Sequence, residues 1–396
     1  MIQNILIVGG GSAGWMTAAY LATKTNCTIS LVESANVPII GVGESTIPSI
    51  VDFMEDVGFT EQDMFDHCGA IRKYTIQHNG WKNGADSWWH HFCFDESEHA
   101  EQVDWLNTRA VPDKKWRYAY HLDATKLGIA LRDKVCKPKG VIHIVDDIVE
   151  VQTDNAGVSC VVGKLNKYTA DLYIDCTGFK SLVRKELGQS YLQHDALINN
   201  YAVCGPGDFV EPQVNYTQTY AMDHGWRWRV SIQNRTGNGY AFNKDLVSID
   251  QAVDEFIKKA PGLRKDKVFE VPITNQFNPE PWKQNVLALG LSCGFLEPLE
   301  ATGLFLIHGP VKMLVRLIND EKQQDKYNRV WRNLYDHLAN FLSKHYTTSE
   351  LNHTEYWRSI KKIDHITLPK DNQALFNPYS FRQLAIARDL PYTAAR

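Results

Sequence analysis

The chain lacks the patterns that mark metal-binding, nucleic-acid-binding and membrane-spanning proteins. Its eight cysteines include no Cys-x-x-Cys pair and its histidines form no cluster at metal-ligand spacing, so we expect reduced thiols and no metal site. The net charge of −4 provides no basic field for nucleic acid. No run of 18 apolar residues and no signal-peptide pattern is found. These absences predict a soluble, cytoplasmic protein without nucleic-acid or membrane partners.

Repeats, low-complexity stretches and clear linkers are also missing, so the sequence marks no boundary between independent domains. A chain of 396 residues can bury a large core, and we predict two intimately joined lobes. Aromatic residues are plentiful, with 11 Trp and 17 Tyr. They are compatible with ordinary core packing or with a cleft for flat ligands, and composition does not decide between the two.

The N-terminal segment carries a dinucleotide-binding pattern. Residues 1–8 predict a short buried strand, and Trp15 to Thr23 predicts the helix that follows a glycine turn. A second strand, Thr28 to Val32, ends in Glu33, roughly 20 residues beyond the glycines, where the motif places an acid for ribose hydroxyls. Glycines allow the tight turn and the close approach to pyrophosphate. The turn itself reads Gly9-Gly10-Gly11-Ser12-Ala13-Gly14.

Later segments predict that the nucleotide-binding lobe is discontinuous. Residues 140–151 predict a strand pair, and the apolar runs at 171–178 and 285–291 predict strands that return to the nucleotide sheet. The lobe then comprises residues 1–80, 140–185 and 280–320. The second lobe comprises residues 81–139, 186–279 and 321–396, with strands at 215–220 and 227–233 and a helix at 325–345 that follows another at 305–318. We therefore predict an α/β fold with an inserted lobe and C-terminal helices.

Another glycine-rich segment, Gly41-Val42-Gly43-Glu44-Ser45-Thr46-Ile47-Pro48, has the composition of backbone lying against a ligand. Thr46 is also a candidate cap for a helix that begins at Pro48.

In combination, several motifs resemble the flavin-dependent halogenases of the tryptophan-halogenase type over residues 1–360. The glycine turn continued by Trp15-Met16 resembles their first motif, and Gly41 to Pro48 resembles their second. Lys73 stands eight residues before Trp81, as the catalytic lysine of that family does. The remaining similar segments are 86–92, 295–303 (Phe-Leu-Glu-Pro-Leu-Glu-Ala-Thr-Gly) and 341–357.

The resemblance implies a Rossmann-like FAD-binding lobe of the aromatic-hydroxylase type and halogenation of an electron-rich indole or phenol. It implies free FADH2 from a separate NAD(P)H:flavin reductase, together with oxygen and chloride, bromide or iodide. Lys73 and Glu300 are the implied catalytic residues, Thr302 and Gly303 the halide site, and His90 and Phe92 the substrate wall. The implied cofactor contacts are Gly9, Gly11, Ser12, Ala13, Gly14, Glu33, Ser45, Ile148, Leu291 and Leu304.

These residue types suit the chemistry. Successive backbone N–H groups at a turn can hold a halide. A buried lysine can lose its proton, whereas a guanidinium would stay charged, so Lys73 can hold hypohalous acid by a hydrogen bond or as a haloamine. Glu300 can polarise the halogen donor or accept the ring proton. Simpler interpretations are a surface lysine, a helix N-terminal acid, and core packing for His90 and Phe92.

Two departures from the family pattern keep other functions open. The motif Trp-x-Trp-x-Ile-Pro is Trp226-Arg227-Trp228-Arg229-Val230-Ser231 here, and this leaves room for an aromatic monooxygenase on the same scaffold. Longer relatives continue with a helical lid, so we expect that lid to be absent or rebuilt and the pocket to be wider. A non-catalytic flavin binder is the third alternative, and self-association stays open.

Overall fold

The computed structural model describes residues 2–37, 41, 43–93, 95–108, 116–209, 213–318, 320, 322–370 and 375–394, with the backbone alone for residues 96 and 106–108. Val42 of the second glycine segment lies outside the described residues. Among the described residues, no helix combines the length and apolarity needed to cross a membrane.

The strands, in chain order, are β1 Asn4–Val8, β2 Thr28–Glu33, β3 Glu44–Ser45, β4 Ile71–Lys73, β5 Thr75–Asn79, β6 Ser87–His91, β7 Ala119–Leu122, β8 Ile142–Val145, β9 Ile148–Asp154, β10 Gly157–Gly163, β11 Lys167–Tyr168, β12 Leu172–Asp175, β13 Leu192–Gln193, β14 Tyr201–Gly207, β15 Tyr216–Met222, β16 Gly225–Ile232, β17 Arg235–Phe242, β18 Phe269–Pro272, β19 Gln276–Phe277, β20 Trp282–Lys283, β21 Val286–Ala288, β22 Gly294–Phe295, β23 Ile366–Leu368 and β24 Tyr392–Ala394. The helices are α1 Ser12–Lys24, α2 Ser49–Asp56, α3 Glu61–Cys68, α4 Glu96–Thr108, α5 Ala124–Leu131, α6 Ile249–Lys259, α7 Phe305–Leu317, α8 Gln323–Thr347, α9 Glu355–Ser359 and α10 Pro378–Ala387.

A six-stranded sheet, in the order β20-β21-β12-β1-β2-β8, forms the nucleotide-binding part, and all of its strands except β20 are parallel. Both faces of this sheet are covered. Ile5 and Ile7 pack with the helical core that contains α1 and α7, whereas Leu6 and Val8 pack with the sheet β9-β10-β11. A strand covered on both sides needs a continuous apolar run, which residues 5–8 provide.

A seven-stranded sheet, in the order β18-β14-β17-β16-β15-β5-β6, forms the second part. Its strands are antiparallel except for the parallel pair β15 and β5. The register of β5 and β6 places Ile76 opposite His90 and His78 opposite Trp88. Next to it, the small sheet β3-β7-β4 carries Lys73 at the end of β4.

Most predicted elements are confirmed, with two corrections. The apolar runs at 171–178 and 285–291 do form neighbouring strands, β12 and β21, of the nucleotide sheet. The predicted strand pair at 140–151 is wrong, because β8 pairs with β2 and β9 pairs with β10. Thr46 does not cap α2, because its hydroxyl donates to the carbonyl oxygen of Tyr120 at 2.7 Å. The division into two lobes stays a prediction, and β5, assigned by sequence to the first lobe, is a strand of the seven-stranded sheet.

The long helix α8 brings distant residues into the core. Its apolar stripe recurs at helical spacing, with Trp331, Leu338, Leu342 and His345 each at most 1% exposed. The C-terminal helix α10 packs against α8 and β6. The two helices therefore enclose the same end of the seven-stranded sheet, where β5 and β6 present histidines.

Candidate active site

The start of α1 is a free anion-binding terminus. Gly11 is the residue before the helix, no side chain caps the helix, and its first turn, which includes Ser12 and Ala13, contains no acid. The first N–H groups of a helix lack partners within the helix and can bind phosphate oxygens. A Cβ placed on Gly11 would meet no atom of the described residues within 4 Å, so the backbone there faces open space in the described part of the chain. This terminus fits a pyrophosphate.

The other glycines of the turn are required by close packing. A Cβ on Gly14 would lie 1.9 Å from the carbonyl oxygen of Gly9, and Gly9 itself has φ +111°. A Cβ on Gly10 would lie 1.6 Å from Oε2 of Glu33, so the acid rests directly against the turn. Oε1 of Glu33 is 2.7 Å from Nε2 of His143. The acid that sequence assigned to the ribose is therefore held at the edge of the proposed cofactor site.

We expect Gly11→Ala to weaken FAD binding by about tenfold or more, roughly 1.4 kcal/mol, without lowering the melting temperature. The residue has extended backbone (φ −74°, ψ −171°), which alanine adopts readily, so only the approach of a ligand is blocked. Fluorescence titration of FAD and thermal unfolding measure the two effects.

Gly128→Ala in α5 is the matched control, because its Cβ would make an ordinary 3.5 Å contact with Trp15. It should change neither FAD affinity nor the fold. Equal FAD affinity in Gly11→Ala and the wild type would show that the cofactor phosphates lie elsewhere.

The remaining cofactor candidates occupy three places. The turn Gly290–Ser292 abuts the start of α1, because a Cβ on Gly290 would lie 2.9 Å from Cβ of Ala13, and Leu291 in that turn is 41% exposed. Ile148 packs on the face of the nucleotide sheet that the sheet β9-β10-β11 covers. The structure thus brings Leu291 to the glycine turn, whereas the role of Ile148 as a cofactor contact stays a prediction.

Ser45 and Leu304 lie away from the glycine turn in sequence. The Ser45 hydroxyl is 2.7 Å from the Thr217 hydroxyl, which in turn is 2.9 Å from Nε2 of His121. Leu304 is the residue before α7 and is buried in the main core. Their roles as cofactor contacts stay predictions.

Lys73 is wholly buried, so its interpretation as a surface lysine is wrong. Its Nζ donates to the carbonyl oxygen of Thr46 at 2.9 Å and lies 5.0 Å from the centre of the Phe92 ring. Burial lowers the pKa of Lys73 to about 7, although the charge of Glu300 opposes this shift. At neutral pH both the amine and the ammonium forms are available.

Glu300 lies at the centre of three histidines. Its Oε2 is 2.7 Å from Nδ1 of His90, and its Oε1 is 2.8 Å from Nε2 of His345 and 3.3 Å from Nε2 of His78. Burial alone would raise the pKa of Glu300, but the attraction of His90 and hydrogen bonds from the three imidazoles outweigh it and hold the pKa well below its usual range. The buried group is therefore a carboxylate.

A hydrogen-bond chain connects His78 to Trp81 through the Thr219 hydroxyl. Trp81 Nε1, which can only donate, donates to the Thr219 hydroxyl at 3.1 Å, and this hydroxyl lies 2.8 Å from Nδ1 of His78. If the hydroxyl donates to Nδ1, then Nε2 carries the proton and faces Glu300. This tautomer avoids the repulsion that a lone pair on Nε2 would have with the Glu300 carboxylate. Burial lowers the pKa of His78 to about 3, so this imidazole is neutral.

The histidine cluster also has metal-ligand proximity. The nearest ligand atoms of His78, Glu300 and His345 lie within 4.8 Å of one another, a separation that an ion could bridge. Glu300 Oε1 and the Nε2 atoms of His78 and His345 are buried and close together, yet they form no well-shaped hydrogen bond among the described residues. The absence of a metal, expected from cysteine and histidine spacing, stays a prediction.

Thr302 and Gly303 form a small cradle. Ala301 before them adopts a left-handed conformation (φ 60°), and α7 begins two residues after Gly303 without a side-chain cap. The Thr302 hydroxyl is buried without a hydrogen-bond partner among the described residues. A Cβ on Gly303 would meet one atom of the described residues within 4 Å, Oε2 of Glu44, at 3.9 Å. Unused N–H groups at a turn and helix start, a free hydroxyl and open space fit a halide.

An aromatic wall adjoins the cluster. The His90 ring lies 5.3 Å from the Phe341 ring and 5.9 Å from the Phe376 ring, and Gln383 of α10 accepts a hydrogen bond from the N–H of His91 at 3.1 Å. The C-terminal segment thus covers this side of the site, as a rebuilt lid would. His90 is 4% exposed and supports Glu300, which sequence did not anticipate.

Sequence reasoning missed three residues of this region: His78, His345 and Glu44. His345 belonged to a motif used for the resemblance but received no role, and Glu44 was assessed only as part of a glycine segment. His78 carried no signal beyond its position between Lys73 and Trp81. The three come together only through sheet register and the packing of α8.

The chain is similar to known proteins. The family profile "Tryptophan halogenase" matches residues 4–111 and 99–385. The chain is 31% identical to 7-chloro-L-tryptophan 6-halogenase KtzR of Kutzneria sp. (strain 744), over 90% of this chain and 81% of that protein. It is also 31% identical to tryptophan 6-halogenase SttH of Streptomyces toxytricini, over 91% of this chain and 81% of that protein.

Among solved structures, Xcc4156, a flavin-dependent halogenase from Xanthomonas campestris, superposes with a TM-score of 0.91 at 27% identity, over 100% of this chain and 90% of that chain. The expected α/β fold with a Rossmann-like FAD-binding lobe is confirmed. The profile match, the relatives and the shared fold show that the chain belongs to the tryptophan halogenase family and is a flavin-dependent halogenase, an oxidoreductase that uses FAD and a halide.

Proposed function

We propose that this protein halogenates an electron-rich aromatic ring of the indole or phenol type by passing hypohalous acid to Lys73. The observation that carries the proposal is the fully buried lysine, whose pKa is lowered by burial to about 7 and whose Nζ lies against the Phe92 ring. A buried amine that gains or loses its proton easily is costly to maintain and is typical of functional sites.

The residues at the glycine turn fit FAD. When bound as FADH2, with oxygen, the cofactor supplies the oxidising equivalents that convert halide to hypohalous acid. The N–H groups at the start of α1 hold its phosphates, and Glu33 binds its ribose hydroxyls. A separate NAD(P)H:flavin reductase provides the reduced flavin. Thr302 and Gly303 hold the halide through N–H groups and the free Thr302 hydroxyl.

Lys73 receives the oxidised halogen and keeps it from water. Its burial between Thr46 and Phe92 excludes solvent from Nζ, so hypohalous acid is held by a hydrogen bond or as a haloamine until it meets the ring. A guanidinium at this position would remain charged and could form no haloamine.

Glu300 stabilises the positive charge that develops on the ring. With its pKa held well below the usual range, it is an ionised group at neutral pH and by itself a weak base. The proton that leaves the ring carbon passes to the Glu300 carboxylate, whose Oε2 lies 2.7 Å from Nδ1 of His90. The neutral His78 lies 3.3 Å from the other carboxylate oxygen.

We expect several electron-rich indoles and phenols to react better than free tryptophan, and bromide or iodide to be used more readily than chloride. The described wall beside His90 is aromatic, contributed by Phe341 and Phe376, so it favours flat rings over a charged amino-acid head group. Bromide and iodide are easier to oxidise than chloride. Competition assays with equal halides and a panel of aromatics test this, and strict chlorination of free tryptophan at one carbon would contradict it.

Mass spectrometry separates halogenation from the alternative of monooxygenation. The alternative rests on Ser231, which stands where the family pattern has proline; its carbonyl oxygen lies 3.0 Å from Nδ1 of His121. An indole and phenol mixture is incubated with enzyme, reduced FAD, oxygen and bromide. Gain of bromine supports the proposal, gain of oxygen supports a monooxygenase, and neither product indicates a flavin binder without catalysis.

A further inference from the structure

The carboxyl group of Glu44 faces the open space in front of Gly303. Among the described residues, the Glu44 Oε2 atom is the one atom within 4 Å of a Cβ built on Gly303, at 3.9 Å. Glu44 lies on β3, which pairs with β7, and this pairing fixes its position beside the start of α7. An acid therefore borders the space assigned to the halide.

The surroundings of Glu44 disfavour its ionised form. Asp123, which follows β7, repels it, while Arg235 is engaged with Asp123 at 2.8 Å. Other titratable or charged groups on the neighbouring elements are Cys204 on β14, Tyr120 and His121 on β7, Arg72 and Lys73 on β4, and His308 and Lys312 on α7. Burial and the charge of Asp123 raise the pKa of Glu44 to about 7.

An ionised carboxylate at this position is incompatible with a halide beside it. Two like charges held close together inside the fold repel strongly, because little water is present to screen them. A neutral carboxyl, in contrast, has an O–H that donates to an anion, and such charge-assisted hydrogen bonds are strong.

We propose that the neutral carboxyl of Glu44 is a third element of the halide site, so that halide and a proton bind together. This inference rests on the proposed function, because it takes Thr302 and Gly303 as the halide site. No covalent step is involved. Halide binds the protonated form of Glu44, so halide affinity is greatest below the pKa of Glu44 and falls by about tenfold per pH unit above it.

Isothermal titration calorimetry of the FAD-bound full chain with sodium bromide, at constant ionic strength, tests the proposal. Titrations at pH 6, 7, 8 and 9 are run in two buffers of different ionisation enthalpy, which reports the protons taken up. We expect bromide affinity to fall by about tenfold between pH 8 and 9, with uptake of about one proton per bromide there.

Glu44→Gln should bind bromide with no pH dependence and no proton uptake, and at pH 9 more tightly than the wild type. Asp123→Asn is a second variant, which keeps a side-chain cap for α5 and removes the repelling charge. This variant should shift the midpoint of the pH dependence of bromide affinity to lower pH. It tests the proposal even if Glu44→Gln does not fold.

The outcomes separate this inference from the proposed function. Thr302→Val should lose bromide affinity at every pH, because it removes the free hydroxyl. Bromide binding that needs Thr302 but shows neither pH dependence nor proton uptake overturns the role of Glu44 alone. Bromide binding unaffected by Thr302→Val overturns the halide site, and with it that part of the proposed function.

Discussion

Replacing Lys73 with alanine is expected to lower the rate of halogen transfer by about 10²–10⁴-fold and to leave FAD affinity unchanged. The lysine is buried in the small sheet β3-β7-β4 and lies far in sequence from the glycine turn that we propose binds the cofactor, and its Nζ contacts Thr46 and the Phe92 ring. Without the amine, no group at this position binds the hypohalous acid. A reductase-coupled bromination assay measures the rate, and FAD titration measures the affinity.

Two further variants accompany the Lys73→Ala variant in this test. Arg72→Gln changes the preceding residue, which pairs with Glu61 at 2.6 Å, and should retain activity. Lys73→Met should unfold at a higher temperature than the wild type at pH 6. The direction of this change follows from the pKa of Lys73. Its folded-state pKa of about 7 is below that of the unfolded chain, so the buried ammonium lowers the free energy of unfolding, and this loss is complete at pH values below 7. Near wild-type bromination by Lys73→Ala would refute the role of the lysine.

The pH dependence at saturating bromide distinguishes the two ways in which Lys73 can hold halogen. Raising the pH through about 7 converts its ammonium to the amine. A haloamine requires the amine, so the single-turnover rate should then rise with pH. A hydrogen bond from the ammonium would give the opposite trend.

Glu300→Gln is expected to reduce turnover by about 10²–10⁴-fold with little change in substrate affinity, because the charge acts mainly in the transition state. Glutamine keeps the shape but removes the negative charge and one of the two acceptor oxygens that face His90 and His345. Steady-state kinetics with a reactive phenol measures kcat and KM separately. A rise in KM at constant kcat would make Glu300 a binding residue.

Glu297→Gln provides a matched control three residues away. Both glutamates are buried, but burial raises the pKa of Glu297, and its Oε2 accepts hydrogen bonds from Trp226 Nε1 and Asn199 Nδ2, each at 2.7 Å. The oxygen of a glutamine amide can accept the same two bonds, so turnover should change little. An equal loss in both variants would indicate a general structural effect rather than a role for the charge of Glu300.

The sequence alone determined the features that depend on neighbouring residues. The order of a strand, a turn, a helix and an acid was predicted from the segment Gly9 to Gly14 and from Glu33. This was possible because the local backbone of a tight turn requires glycine where the conformation is left-handed or the packing is close. The long helix α8 followed from its apolar spacing. Local pattern did not fix pairing, which is why the strand partners of β8 and β9 were assigned wrongly.

Only the tertiary structure decided the environment of the site. His78, His90 and His345 meet Glu300 because sheet register and the packing of α8 bring them together from far apart in the chain. Burial itself lowers the pKa of Lys73. The pKa of Glu300 is lowered against the effect of burial, because three imidazoles surround its carboxylate. Desolvation and partners across a fold have no signature in residue periodicity, so the protonation of this site is a property of the folded chain.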